Sequence, residues 1–206
     1  MERLIVLEGL DGSGKTTAVK KIKEFLLSKG IKEEDILIFR EPGGTILGEK
    51  LRSIFKDPNI NLDPLGELLI LSASRNQLIF EKIKPAILVG KWVILDRFYW
   101  STLAYQGARE NISLDIIKNI NSLVVGEFTP DIVLYLDIDP EIGLRRVKGY
   151  TQLDRVELSG LDFFKKARSI YLELTSSFKD AFKIDSSLDI ERVYSQIEQA
   201  LEEKYS

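Results

Sequence analysis

Short apolar runs alternate along the chain with longer segments whose apolar positions recur at helical spacing. The runs RLIVLE (3–8), DILIFR (35–40), KWVILDR (91–97), DIVLYLD (131–137) and AFKID (181–185) predict buried strands, the last with the weakest pattern. The longer segments predict helices over about 15–29, 45–56, 66–89, 99–107, 113–126, 140–148, 160–178 and 188–204. Gly30, Gly90 and Gly126 stand where three of these helices should stop. Such alternation implies an α/β fold, a five-stranded parallel sheet flanked by helices on both faces. No repeat, low-complexity tract or linker breaks the pattern, so residues 1–206 read as a single domain.

In an open parallel sheet, ligands bind outside the carboxyl ends of the strands. Glu8, Arg40, Asp96 with Arg97, and Asp137 all fall at such ends. A single strand that ends in a charge can simply be emerging into water; four together favour a site.

Composition narrows the chemistry. The chain of 206 residues has no cysteine and no histidine. Disulfides, thiol nucleophiles, thiolate zinc sites, Ser-His-Asp triads and imidazole acid/base catalysis are therefore excluded. Phosphoryl transfer survives, because positioning and charge neutralisation supply most of its catalysis. The 29 basic and 32 acidic residues are interspersed, so extended nucleic-acid binding is not expected. The amino terminus enters an apolar strand without a signal-peptide layout, and no segment is long enough to span a membrane. A cytoplasmic protein without a membrane partner is the expectation.

GLDGSGKT (9–16) fits G-x-x-x-x-G-K-[ST] between a predicted strand and a predicted helix, the context this phosphate-loop motif requires. Residues Gly9, Leu10, Asp11, Gly12, Ser13, Gly14, Lys15, Thr16 and Thr17 form the candidate ATP-binding segment. Glycines let backbone N–H groups close round phosphate oxygens, and the helix start adds the positive end of its dipole. Lys15 is placed to reach the β- and γ-phosphates and the Thr16 hydroxyl to help hold Mg²⁺. Asp96 is the better candidate for a second metal-side carboxylate. Asp139 before Pro140 reads as a helix cap, and Asp137 is left open.

A GTPase switch or motor would need a moving partner, whereas a small kinase needs a second anion site beside the first. Arginine suits that site, since its planar fork holds phosphate bidentately. Arg40 in FREPGGT, Arg75 in LSASRNQ and Arg97 in LDRFYWSTLAYQG are placed to contribute. Arg97, Ser101 and Tyr105 lie four apart and would share one helical face, as would Leu71 and Arg75.

The sequence resembles the thymidylate kinase (dTMP kinase) family of P-loop nucleoside monophosphate kinases. EGLDGSGKTT, REPGGT, SASRNQ, KWVILDRF followed by STLAYQG, PDIVLYLD and LDRVE occur in the family's order, over about residues 5 to 157. The resemblance implies transfer of the ATP γ-phosphoryl group to dTMP with Mg²⁺, and a homodimer. It implies that Asp11 faces the acceptor and that Arg40 and Arg97 grip its phosphate. Arg75 would bond the thymine edge with Gln106 beside the base, Tyr105 would pack under the deoxyribose, and Ser101 would meet the base face bearing the methyl group. Leu71 departs from the family, for many relatives place an aromatic ring there to stack on thymine; a stacked pair contributes about 0.5–1.5 kcal/mol beyond burial. Two rival readings follow: a kinase of this fold with another or broader acceptor such as dUMP, and a nucleotide-binding regulator without turnover.

Gly12 is a second departure, at a position where some relatives carry a phosphate-loop arginine. The chain falls with those that put arginines in a lid, here about 144–157. Arg145, Arg146, Lys148 and Arg155 are its candidate cations, with Arg146 and Arg155 joining Lys15 and Arg97 as candidate catalytic groups.

Overall fold

In the computed structural model, β1 (Leu4–Gly9), β2 (Ile36–Arg40), β3 (Trp92–Asp96), β4 (Ile132–Asp137) and β5 (Ala181–Asp185) form one parallel sheet. Their order is β2-β3-β1-β4-β5, which sets β1 at the centre. The structure describes residues 3–109, 111–126, 128–148, 156 and 159–205, without the side chain of Lys148. All five predicted strands are present, each within one residue of its expected start.

Both faces of the sheet are dry, so the central strands read as continuous apolar runs. Leu4, Val6, Val93, Leu95, Val133 and Tyr135 face one cluster. That cluster is closed by α3 (Pro64–Leu78), α5 (Tyr99–Ala108) and α8 (Leu161–Ser177). Ile5, Leu7, Ile94, Ile132, Leu134 and Leu136 face the other, under α1 (Lys15–Ser28) and α9 (Ile190–Tyr205). Two layers of helix on one sheet follow from the period-two alternation of buried side chains. Outside these, α2 (Ile46–Lys56) and α6 (Leu114–Val125) both pack on α3, and α7 (Pro140–Lys148) packs on α8.

Local signals set the helix starts. Thr45 accepts from the Gly48 N–H at 2.9 Å to cap α2, and Asp63 accepts from Gly66 at 3.0 Å to cap α3. Asp139 accepts from the Glu141 N–H at 2.8 Å at the start of α7, the capping role read from the sequence. Gly30, Gly90 and Gly126 all have positive φ just past the helices they end.

The helix expected over 66–89 differs from the pattern. After α3 the chain makes a π turn over Ile79–Ile83 before α4 (Lys84–Leu88). Pro85 explains the break: it has no N–H to give the Glu81 carbonyl, and its ring would crowd that group. No described helix is long and apolar enough to cross a membrane.

Candidate active site

The phosphate loop leaves the carboxyl end of β1 and feeds α1 through Gly14, whose φ of 87° suits only glycine comfortably. Gly12, Gly14, Lys15, Thr16 and Thr17 line a cavity there together with Asp96 from β3. Lys15 Nζ donates to the carbonyls of Gly9 at 3.1 Å and Leu10 at 2.8 Å. Burial, then the neighbouring Arg97 guanidinium, lowers the Lys15 pKa to about 8 against the pull of Asp11 and Asp96. Thr16 and Asp96 offer a hydroxyl and a carboxylate in the same cavity, a hard-oxygen pair that suits Mg²⁺. Among the described residues no group of three or more acidic, histidine or cysteine side chains gathers, so a cation held here would rely on substrate phosphate oxygens and water.

A second cavity opens beside the first. It is lined by Pro42, Phe55, Leu71, Arg75, Phe98, Ser101, Tyr105 and Gln106, and the two cavities share Asp11, Glu41, Arg52 and Arg97. Arg97 is the hinge between them. It is the non-glycine residue with positive φ among the described residues, at 72°. Such a conformation costs of order 1–3 kcal/mol and is held only where the surroundings impose it. Here the surroundings are explicit. Nη1 donates to the Gly9 carbonyl at 2.8 Å and to Ser101 Oγ at 3.1 Å. Nη2 donates to Asp11 Oδ1 at 2.5 Å and to the Tyr105 hydroxyl at 3.2 Å. The Tyr105 hydroxyl in turn donates to Asp11 Oδ2 at 2.9 Å. Burial would raise the Asp11 pKa, but Arg97 and Lys15 outweigh it and hold the group at about 2.

The structure gathers the sequence-read residues unevenly. Arg97, Ser101 and Tyr105 do meet, although Arg97 precedes α5 and reaches its partners through its strained backbone rather than along a helical face. Leu71 lines the second cavity. Arg75 is buried, its Nε bonded to Glu41 at 2.7 Å and its other nitrogens to Asn121, the Phe98 carbonyl and Thr102. Arg75 also lines the second cavity. Gln106 donates its amide N–H toward Glu67 at 3.4 Å, and its Oε1 is buried with no partner among the described residues. Arg40 is half exposed, paired with Glu49 at 3.0 Å, and lines the phosphate-loop cavity rather than the second one.

Two strand-end carboxylates leave the candidate set. Glu8 is fully buried and lines neither cavity. Asp137 forms a two-point ion pair with Arg168, at 2.7 and 3.0 Å, and also accepts from Tyr135; it ties α8 to the sheet. Of the lid cations, Arg146 lines the phosphate-loop cavity and donates to the Gly12 carbonyl at 3.3 Å, whereas Arg145 turns back to the Glu141 carbonyl. Arg155 lies outside the described residues.

Gly12 acquires a steric reason. A Cβ there would fall 2.3 Å from the Gly143 carbonyl oxygen, and φ is 76° besides. A side chain at this position cannot be seated unless α7 moves off the loop, so the loop's missing arginine and the close approach of α7 are one feature.

Glu41 and Arg52, which line both cavities, escaped the sequence reading. Arg52 sits in an amphipathic helix pattern where a solvated charge is the ordinary expectation, and only tertiary placement reveals it. Glu41 adjoins the cis peptide before Pro42 and keeps Oε1 without a hydrogen-bond partner among the described residues. Burial pushes its pKa up to about 7 despite Arg75.

A family model described as thymidylate kinase matches residues 7–197 of the chain. Over 203 residues, 98% of this chain and 94% of the relative, the sequence is 44% identical to a thymidylate kinase of Legionella pneumophila (strain Paris). It is 41% identical over 201 residues, 97% of this chain and 95% of the relative, to one from Photobacterium profundum. The fold superposes on the crystal structure of a thymidylate kinase from Ehrlichia chaffeensis with a TM-score of 0.78 at 32% identity, covering 98% of both chains.

Proposed function

The chain belongs to the thymidylate kinase family, and from that premise we propose which of its residues carry the transfer of the ATP γ-phosphoryl group to dTMP. The reaction gives dTDP and ADP. The observation that carries the assignment is the Asp11–Arg97 pair, joined at 2.5 Å and lining both cavities, an arrangement that supports seating the phosphates of donor and acceptor on either side of one guanidinium.

On the donor side, the start of α1 and Lys15 hold the ATP phosphates. Thr16 and Asp96 would hold Mg²⁺, which supplies charge neutralisation at the phosphate oxygens. On the acceptor side, Arg97 orients the dTMP phosphate, and Arg40 reaches toward it from the phosphate-loop cavity. An oxygen of that phosphate forms the bond to the γ-phosphorus while the bond to the β,γ-bridging oxygen breaks. The acceptor is already anionic near neutral pH, since the second pKa of a phosphate monoester is about 6, so no strong general base is needed. Arg146 neutralises the charge that spreads over the transferring group, and lid closure excludes water.

The Gln106 carbonyl oxygen as acceptor and the Arg75 guanidinium as donor, both lining the second cavity, suit the donor and acceptor pattern of a thymine edge. Cytosine lacks the ring N–H that Gln106 would accept, and uracil lacks only the methyl group. With a panel of monophosphates, kcat/KM for dTMP should exceed that for dUMP about tenfold and that for dCMP by about 10³ or more. Equal rates across the panel, read by ADP release, would remove Gln106 and Arg75 from base recognition and favour the broader acceptor.

We further infer that a second copy of the chain covers α3 and α6. Leu65 and Leu69 lie one turn apart on α3, Ile116 and Leu123 two turns apart on α6, and all are exposed, Leu123 to 84%. Sedimentation equilibrium should give twice the 23.5 kDa chain mass, and Leu123→Glu should shift it toward the single chain. A wild-type protein that sediments as one chain at all concentrations would sink the dimer.

A further inference from the structure

Glu8 is a buried carboxylate that the reaction does not use and that lines neither of the two cavities described above. Its position explains a defect elsewhere. Helix α5 carries Ser101, Tyr105 and Gln106 into the acceptor cavity, yet its N-cap residue is Phe98, which has no side-chain acceptor for the first-turn N–H groups. Glu8 supplies the cap from β1, the strand beside β3. Its Oε1 accepts the Phe98 N–H at 2.9 Å and the Ser101 N–H at 3.2 Å. Its Oε2 accepts the Ser101 hydroxyl at 2.6 Å and the Tyr171 hydroxyl at 3.1 Å.

These four bonds bracket Arg97. The Arg97 N–H is tied to the Leu7 carbonyl at 2.9 Å, and the next N–H along, that of Phe98, is tied to Glu8. The strained φ of 72° is thus pinned on both sides from β1. On the side-chain end, Ser101 and Tyr171, both held by Glu8, are also hydrogen-bond partners of Arg97 Nη1. Tyr171 belongs to α8, stacks on Tyr135 with centroids 5.1 Å apart, and so couples the same network to β4.

We propose that Glu8 is a positioning residue for the phosphoryl acceptor: it caps α5 from the neighbouring strand and, with Tyr171, aims Arg97 at the dTMP phosphate. Burial raises the Glu8 pKa, so the fold keeps a carboxylate where an uncharged group would be less costly. The inference rests on the assignment of Arg97 to the acceptor phosphate.

The test compares Glu8→Gln, Glu8→Ala and Tyr171→Phe by steady-state kinetics in both substrates and by thermal unfolding. Glutamine keeps one oxygen for the two backbone N–H groups and can donate to the two hydroxyls, so it should preserve the cap and lose only the charge that faces Arg97. Expected are a fall in kcat/KM for dTMP of roughly 100-fold in Glu8→Ala and about 5- to 10-fold in Glu8→Gln and Tyr171→Phe. The KM for ATP should move less than about twofold, and the Glu8→Gln midpoint should not drop. The proposal is overturned if dTMP parameters are unchanged in Glu8→Gln and Tyr171→Phe, and this holds even if Glu8→Ala does not fold. It is also overturned if dTMP and ATP parameters worsen together with a falling midpoint, the signature of a purely structural role. Failure of the underlying assignment looks different: Arg97→Ala would then use dTMP normally, whereas failure of the present inference leaves Arg97 essential and Glu8 dispensable.

Discussion

Arg97→Ala is expected to lower kcat/KM for dTMP by about 10³, with the KM for ATP within a few-fold of the parent. The magnitude follows from removing a preorganised cation from a water-poor site, where one such donor contributes about 10²–10³, compounded by the loss of phosphate orientation. The direction follows from geometry. Arg97 lines both cavities, but its Nη atoms are aimed by Ser101 and Tyr105, which line only the second. Arg97→Lys should recover little, because a lysine restores charge without the fork that holds Gly9, Ser101, Asp11 and Tyr105 at once. The alanine variant also leaves Asp11 without its strongest partner, so a carboxylate held only by Lys15 and Tyr105 would face the dTMP phosphate and repel it. Calorimetric titration with dTMP separates the two contributions. Binding should weaken in the alanine variant, and unchanged binding and turnover with dTMP would end the assignment.

Much of this was legible in the chain, for a physical reason that differs from residue to residue. The strands were readable because a sheet covered on both faces leaves continuous apolar runs, and β5, with only Ile184 well buried, gave the faintest signal. The phosphate loop was readable because backbone approach to phosphate demands glycines at set spacing. Arg97 was legible as a candidate but its φ of 72° was not, since nothing local requires it; the requirement comes from Leu7 and Glu8, far earlier in the chain on β1. Glu8 stood only among the strand-end charges, and its capping contacts were hidden for the same reason. A carboxylate at a strand end reads as a ligand contact, and only the lack of a capping side chain at Phe98, seen in three dimensions, shows that it serves the backbone. Arg52 was invisible because an exposed-looking helical position and a cavity-facing one carry the same sequence pattern. Gly12 was visible as a departure from relatives, but its cause, contact with Gly143, required the packing of α7.

The donor side gives the second large effect. Lys15→Met should lower kcat/KM for ATP by about 10³ or more, the scale for loss of a buried cation at the transferring phosphoryl group. Steady-state kinetics across pH test the same residue without mutation. Burial and Arg97 lower the Lys15 pKa to about 8 in the free protein, so the cation that ATP must meet is present below that value and lost above it. The parent kcat/KM for ATP should therefore be level up to about pH 8 and then fall by about tenfold per pH unit. The stability sign is opposite to the catalytic one. A lysine whose folded pKa is depressed holds its proton less firmly in the native state than in the unfolded chain, whose value is near 10.5. Between about pH 8 and 10.5 the unfolded state then binds more protons, and stability rises with pH through that window. Below pH 8 the buried charge works against the fold, so the free Lys15→Met protein should unfold no earlier than the parent at pH 7. Adding ATP should reverse the order, because only the parent gains the binding free energy of the phosphates. A parent profile flat through pH 10 would refute the buried-cation account, and wild-type turnover in Lys15→Met would refute the donor assignment itself.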